Sequence, residues 1–228
     1  MRYRRPNVTA VPQPLTRETL ALAVERLAGR DPDLEAIAER LGPPPLWDRP
    51  EGFATLVQIV LEQQVSLSSA RAAFDRLVSA VGELTPPRFL GLDDARLLEI
   101  GFSRQKAGYV RDLARAVESG ELDLDGLAGL TDEAASESLL ALRGIGPWTA
   151  SIYLLMAMGR PDVWPATDMA LVAAVARIKG LDRRPDAAQM SAIAEPWRPW
   201  RSVAARLLWH DYLSRRGQGT GSQPEARQ

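Results

Sequence analysis

The sequence predicts an all-α fold on three observations. Apolar residues recur at helical spacing along most of the chain, no run of alternating β-branched residues appears, and the periodic stretches are separated by short Gly/Pro clusters. In chain order, the first two helices span roughly 17–29 and 33–41 and stop at Gly42-Pro43-Pro44-Pro45. Phe53, Leu56, Val57, Val60 and Leu61 then mark one face of a helix, and Ala70, Ala73, Phe74, Leu77, Val78 and Val81 mark the next, which ends before Thr85-Pro86-Pro87. Helices over 104–118, 133–142 and 147–158 precede Gly159-Arg160-Pro161. Those over 168–179, 187–195 and 200–214 complete the fold, with a break at 196–199. The Gly- and Ser-rich tail 217–228 carries almost no apolar residue and is expected to be disordered.

Composition removes much chemistry. The 228 residues are 46% hydrophobic, enough for a real core. Zero cysteines exclude disulfides, iron–sulfur clusters and thiolate zinc sites, and the single His210 excludes any site built on several histidines and receives no role. No apolar run approaches the ~18–20 residues of a membrane span, and Met1-Arg2-Tyr3-Arg4-Arg5-Pro6 leads into no apolar stretch, so a cytosolic protein is expected. The net charge is −1, but residues 169–216 hold 9 Lys/Arg against 4 Asp/Glu while residues 1–168 hold 18 against 24. The last third is therefore a basic region, almost wholly arginine, which suits phosphate contact or simply a GC-rich genome.

The most informative stretch is Leu140-Ala141-Leu142-Arg143-Gly144-Ile145-Gly146-Pro147-Trp148-Thr149-Ala150. It reads as a helix end, a Gly-x-Gly turn whose glycines permit positive φ, and a proline opening the next helix. Amide groups at that helix start would form a phosphate site, but a glycine-capped helix–helix turn explains the same spacing. A dinucleotide fingerprint is excluded, because no strand precedes the turn and the third glycine is missing. Asp168 opens a helix with Leu171, Val172, Val175 and Lys179 on its own face, where an N-cap and a catalytic carboxylate are compatible readings. Trp47, Trp164, Trp197 and Trp200 read as core. Trp209 lies opposite Trp200 on its helix and faces a different environment.

The hairpin stretch followed by Val163-Trp164-Pro165-Ala166-Thr167-Asp168 resembles the helix–hairpin–helix, Gly/Pro-rich loop and Asp (HhH-GPD) signature of the DNA glycosylase superfamily. Phe53 to Ser66, Gly101 to Ala107, and Trp197 to Ser202 extend the resemblance over about 50–214, toward 3-methyladenine DNA glycosylase II of the AlkA type. The resemblance implies two helical lobes with an active cleft between them: residues 51–167, carrying the hairpin at about 139–158, and residues 1–50 with 168–216. It implies Asp168 as the catalytic carboxylate, stabilising the oxocarbenium-like state of N-glycosidic cleavage. It assigns Trp209 and Trp148 to the base pocket and Gln64 to the wedge that fills the gap left by a flipped nucleotide. Met169 and Ile152 stand where relatives carry tyrosines.

Phosphate contacts are implied at Gly144, Gly146, Thr149 and Arg143, with Arg104, Arg201 and Lys106 as further candidates. A monovalent cation, Na+ or K+, is implied on the carbonyls of Leu140, Leu142 and Ile145; no other cofactor is expected. Bifunctional relatives carry a lysine where Trp148 stands, so an abasic site without strand scission is expected. The implied function is a monofunctional glycosylase excising alkylated bases of the 3-methyladenine and 7-methylguanine type from double-stranded DNA, in base excision repair. A monomer in a bacterial cytoplasm, at the nucleoid, is expected. The competing readings are a non-catalytic helix–hairpin–helix DNA-binding or damage-sensing protein, and a glycosylase for deaminated or oxidised bases.

Overall fold

Regular structure in the computed structural model, which describes residues 11–219, is entirely helical among the described residues. The helices are α1 (Arg17–Ala28), α2 (Pro32–Leu41), α3 (Phe53–Glu62), α4 (Leu67–Val81), α5 (Pro86–Leu90) and α6 (Asp94–Ile100). They continue with α7 (Arg104–Ser119), α8 (Asp132–Leu140), α9 (Pro147–Ile152), α10 (Met169–Ile178), α11 (Ala187–Ala194) and α12 (Arg201–Gly219). Short helices α5 and α6 are additions to the sequence expectation. The helix expected over 147–158 is α9 followed by a π-helical turn at Tyr153–Ala157. Because α12 runs to Gly219, the first three residues of the expected disordered tail are helical; residues 220–228 lie outside the described residues.

Two compact units emerge, and the chain crosses between them at Gln13/Pro14, Trp47/Asp48 and Arg160/Pro161, so residues 11–13 belong with the hairpin-bearing unit rather than with the other. The expected crossings were 50/51 and 167/168. The later one moves because residues 161–163 are bonded to the start of α12 and belong to its unit.

In the unit formed by residues 11–13 and Asp48–Arg160, α3 is central and packs on α4, α7, α9 and the π turn. Phe53, Thr55, Leu56, Val57, Ile59, Val60 and Leu61 are all buried, so this helix is apolar around most of its circumference. Tyr153 Oη accepts from the Gly52 amide at 2.9 Å and fixes its start. Arg160, 2% exposed, donates to the carbonyls of Pro12, Leu127, Ala128 and Leu130, adding side-chain bonds to the short 3-10 turn at Gly126–Gly129.

In the other unit, Pro14–Trp47 with residues from 161 on, α12 is central and packs on α10, α2 and α1. Every residue from Ser202 to Trp209 is buried. Asp31 caps α2, and its carboxylate accepts from Lys179 at 2.9 and 3.1 Å and from the Trp197 indole at 2.8 Å, tying α10 and the turn at Glu195–Trp197 to α2. Trp164 and Trp197 pack edge to face in the core as expected, with centroids 5.4 Å apart.

Candidate active site

Asp168 is the N-cap of α10, and its Oδ1 accepts the Leu171 amide at 2.9 Å and the Trp209 indole N–H at 3.1 Å. The loop that delivers it is stapled to the N-terminus of α12. Ser202 N–H donates to the Pro161 carbonyl at 3.0 Å, and Ser202 Oγ accepts from Val163 N–H at 2.9 Å while donating to the Val163 carbonyl at 3.0 Å. Arg201 adds a fork onto the Asp162 carboxylate at 2.9 and 3.1 Å. Ser202 and Trp209 are two helical turns apart and so project from one face of α12, which holds both ends of the Asp168 segment. Capping and indole donation fix the orientation of the carboxylate.

Trp209 is 7% exposed, and its edge meets Trp47 with centroids 6.5 Å apart and planes at 76°. Trp47, expected in the core, is only half-buried and takes φ 48, a left-handed conformation that is an outlier for so bulky a residue. Buried Arg206 imposes it in part, donating from Nε to the Leu46 carbonyl at 2.8 Å. His210 lies edge-on to Trp47 at 6.3 Å, and burial and the Arg40 charge push its imidazole below the usual range. Trp47, which the sequence reading assigned to packing, thus stands against Trp209 beside the candidate site. Trp200 is half-buried, and Met169, next to Asp168, is 63% exposed.

In the other unit, Gln64 is exposed and also left-handed, with φ 57. Gln63 and Ser66 on either side of it are engaged. Gln63 Nε2 donates to the Gly144 carbonyl and to Thr149 Oγ1, each at 2.9 Å, and Ser66 caps α4. Lys106 Nζ donates to the carbonyls of Leu61 and Gln63, each at 2.7 Å, closing the C-terminus of α3. Burial pushes that ammonium below the usual lysine range. Lys106 is therefore occupied inside the fold rather than offered to phosphate, as is Arg201. The strain at Gln64 is held from both sides, the pattern expected of a functional outlier.

The hairpin connects α8 to α9. Gly144 has φ +89, and a Cβ there would stand 2.2 Å from the Tyr109 ring, so both the conformation and the space require glycine. Gly146 does not use the freedom its residue type permits: at φ −95 it is an extended N-cap to Pro147, with open space where a Cβ would stand. The Thr149 hydroxyl is buried against Gln63, which leaves its backbone amide as the phosphate candidate at that residue. Arg143 is 76% exposed, with its guanidinium 5.5 Å from the Tyr109 centroid and 3.8 Å from Asp112, and Arg104 is exposed. Trp148 is half-buried and Ile152 buried. Leu140 is partly exposed, and the carbonyl of Leu142 accepts from the Ile145 amide at 3.1 Å.

Residues 57–199 match the family model of the HhH-GPD superfamily of base excision DNA repair proteins, and the chain belongs to that superfamily. It is 30% identical over 172 residues to the DNA-3-methyladenine glycosylase of Bacillus subtilis, covering 70% of this chain and 57% of that protein. Among solved structures, a 3-methyladenine DNA glycosylase of Schizosaccharomyces pombe in complex with abasic DNA superimposes with a TM-score of 0.76 at 28% identity, covering 82% of this chain and 95% of that one. A DNA-3-methyladenine glycosidase of Bacillus halodurans gives 0.72 at 29% identity, covering 86% and 91%. The chain spans 39% to 64% of the length of the first bacterial relatives it matches. No helix among the described residues is long and apolar enough to cross a membrane.

Proposed function

We propose that the chain is a monofunctional DNA glycosylase that flips alkylated bases of the 3-methyladenine and 7-methylguanine type out of double-stranded DNA and hydrolyses their N-glycosidic bond. The observation that carries this reading is the Asp168–Trp209 pair: a carboxylate held by a cap and an indole N–H, beside a half-exposed second indole. As the bond to the base breaks, positive charge grows on the deoxyribose, and a fixed carboxylate stabilises it without reorganising. Alkylated purines already carry positive charge and leave readily, so no strong general acid is needed. An indole face attracts such a base by about 0.5–2 kcal/mol. Trp47 and Trp148 are the more exposed candidates for that face, and Trp209 chiefly positions Asp168.

Gln64 is the residue that enters the gap left by the flipped nucleotide, and the amides of Gly144, Gly146 and Thr149 grip backbone phosphate. With tryptophan at 148 the product is an abasic site and an intact strand. The carbonyls of Leu140, Leu142 and Ile145 belong to the turn of the hairpin, and neutral oxygen donors of this kind suit a hard monovalent cation. A monomer acting at the bacterial nucleoid completes the reading.

One observation favours a second reading. Asp168 caps α10, and a cap alone suffices for a DNA-binding protein without catalysis. Methylated duplex DNA incubated with the protein and with Asp168→Asn separates the two, with free bases measured by chromatography and strand scission scored without alkali. Release of 3-methyladenine by the unaltered protein alone, with binding retained in the variant and no scission, is the expected result. Binding by both proteins without release by either would establish the second reading. Parallel substrates carrying hypoxanthine or 8-oxoguanine test the remaining alternative.

A further inference from the structure

Three arginines from three helices converge on one carboxylate at a distance from the site above. Arg40 of α2, Arg177 of α10 and Arg215 of α12 all bond Asp211, whose side chain is fully buried. Arg40 and Arg215 share Oδ1, the latter at 3.0 Å, and Arg177 takes Oδ2. Asp211 cancels one positive charge of the three, and among the described residues none of these arginines has a second acidic partner. Their side chains are between 39% and 49% exposed, and each gives one N–H to Asp211. Burial pushes the Arg177 guanidinium down, and the charges of Arg215 and Arg40 push it further, so the crowding is felt as repulsion.

We propose that this cluster is an anion site for a phosphodiester group of the DNA backbone, separate from the hairpin. A buried carboxylate that fixes three guanidiniums in place pre-orients their remaining donors, and planar N–H forks match phosphate oxygens. A phosphate arriving there neutralises the excess charge that Asp211 leaves. Arg177 stands nine residues along α10 from Asp168, about 13 Å at 1.5 Å rise per residue. The inference rests on the reading of the chain as a DNA-acting protein.

The test is DNA affinity against salt for the unaltered protein, Arg177→Gln, Arg215→Gln and the charge-keeping Arg177→Lys, with thermal melting as the check that each folds. Each Gln variant leaves Asp211 two arginine partners. The Gln variants are expected to lose about one unit of slope in log K against log salt, and Arg177→Lys to keep the slope. Base release at saturating DNA is expected to stay unchanged. DNA neutralised by methylphosphonate at single phosphates, scanned along both strands, should weaken the unaltered protein at one or two positions and leave Arg177→Gln insensitive there. Unchanged slopes, or a loss of affinity equal at all salt concentrations, would overturn the proposal. So would inorganic phosphate stabilising only the unaltered protein while the slopes coincide, which would mark a site for a free anion. Failure of the unaltered protein to bind DNA at all would instead sink the functional reading.

Discussion

The indole N–H of Trp209 and the Leu171 amide meet on the same oxygen of Asp168, at 3.1 and 2.9 Å, so one carboxylate oxygen closes a helix and receives a side chain from α12. Replacing Trp209 by Phe keeps a ring and removes the donor. Loss of a hydrogen bond to a charged group is worth about 1.5–3 kcal/mol, and kcat for base release is expected to fall by about ten-fold or more while DNA affinity holds. An unchanged kcat would show that the bond does not position the carboxylate.

Gln64 couples stability and function in opposite directions. Gln64→Gly relieves a left-handed conformation that costs a side-chain-bearing residue roughly 1–2 kcal/mol, and a higher melting temperature is expected. The same change removes the side chain proposed to fill the duplex gap, so fluorescence of a base analogue at the lesion position should report less flipping. A variant that melts higher and flips as well as the unaltered protein would leave Gln64 without a wedge role.

The two hairpin glycines should respond differently to alanine. Gly144→Ala places a methyl group against the Tyr109 ring at positive φ, and a loss of about 2 kcal/mol or more is expected in denaturant unfolding. Gly146→Ala, with ordinary φ and open space, should be within about 0.5 kcal/mol of neutral. Equal losses at both positions would contradict the hairpin geometry.

Asp31 and Lys179 set pH limits to stability. Burial alone would raise the Asp31 carboxyl, but its bonds from Lys179 and Trp197 outweigh it and hold it below the usual range. Its contribution is present above the unfolded value near 3.8 and is lost as pH falls through the lower folded value. Burial opposes the Lys179 ammonium, yet Asp33 and Asp31 raise it, so its contribution is present below the unfolded value near 10.5 and lost as pH rises through the folded one. Melting temperature against pH should fall at both ends, and Lys179→Met should flatten both limbs.

Legibility in the sequence followed the length of the periodic signal. Phe53 to Leu61 repeats over more than two turns and marked α3, whereas α5 and α6, of five and seven residues, are too short for a period to show. The π turn at Tyr153–Ala157 leaves no signature because its residues are those of any buried helix. At the site, Asp168 was legible as a cap, and its catalytic assignment came from resemblance. Trp47 and Lys106 were not legible: a left-handed tryptophan contradicts residue preference, and a lysine that closes a helix end reads like any surface lysine. Which hairpin glycine takes the positive φ was not legible, because the Gly-x-Gly pattern permits it at either.

The backbone at Gln64 also bears on the kinetics of association. Gln63, Lys106 and Ser66 fix that loop when the chain folds, so the conformational entropy of ordering it is lost before DNA arrives. Contact with an intruding side chain on a pre-ordered loop lengthens the residence of the protein on a flipped site more than it speeds arrival. The protein is then expected to leave its abasic product slowly, with release of the intact abasic strand setting the pace of turnover.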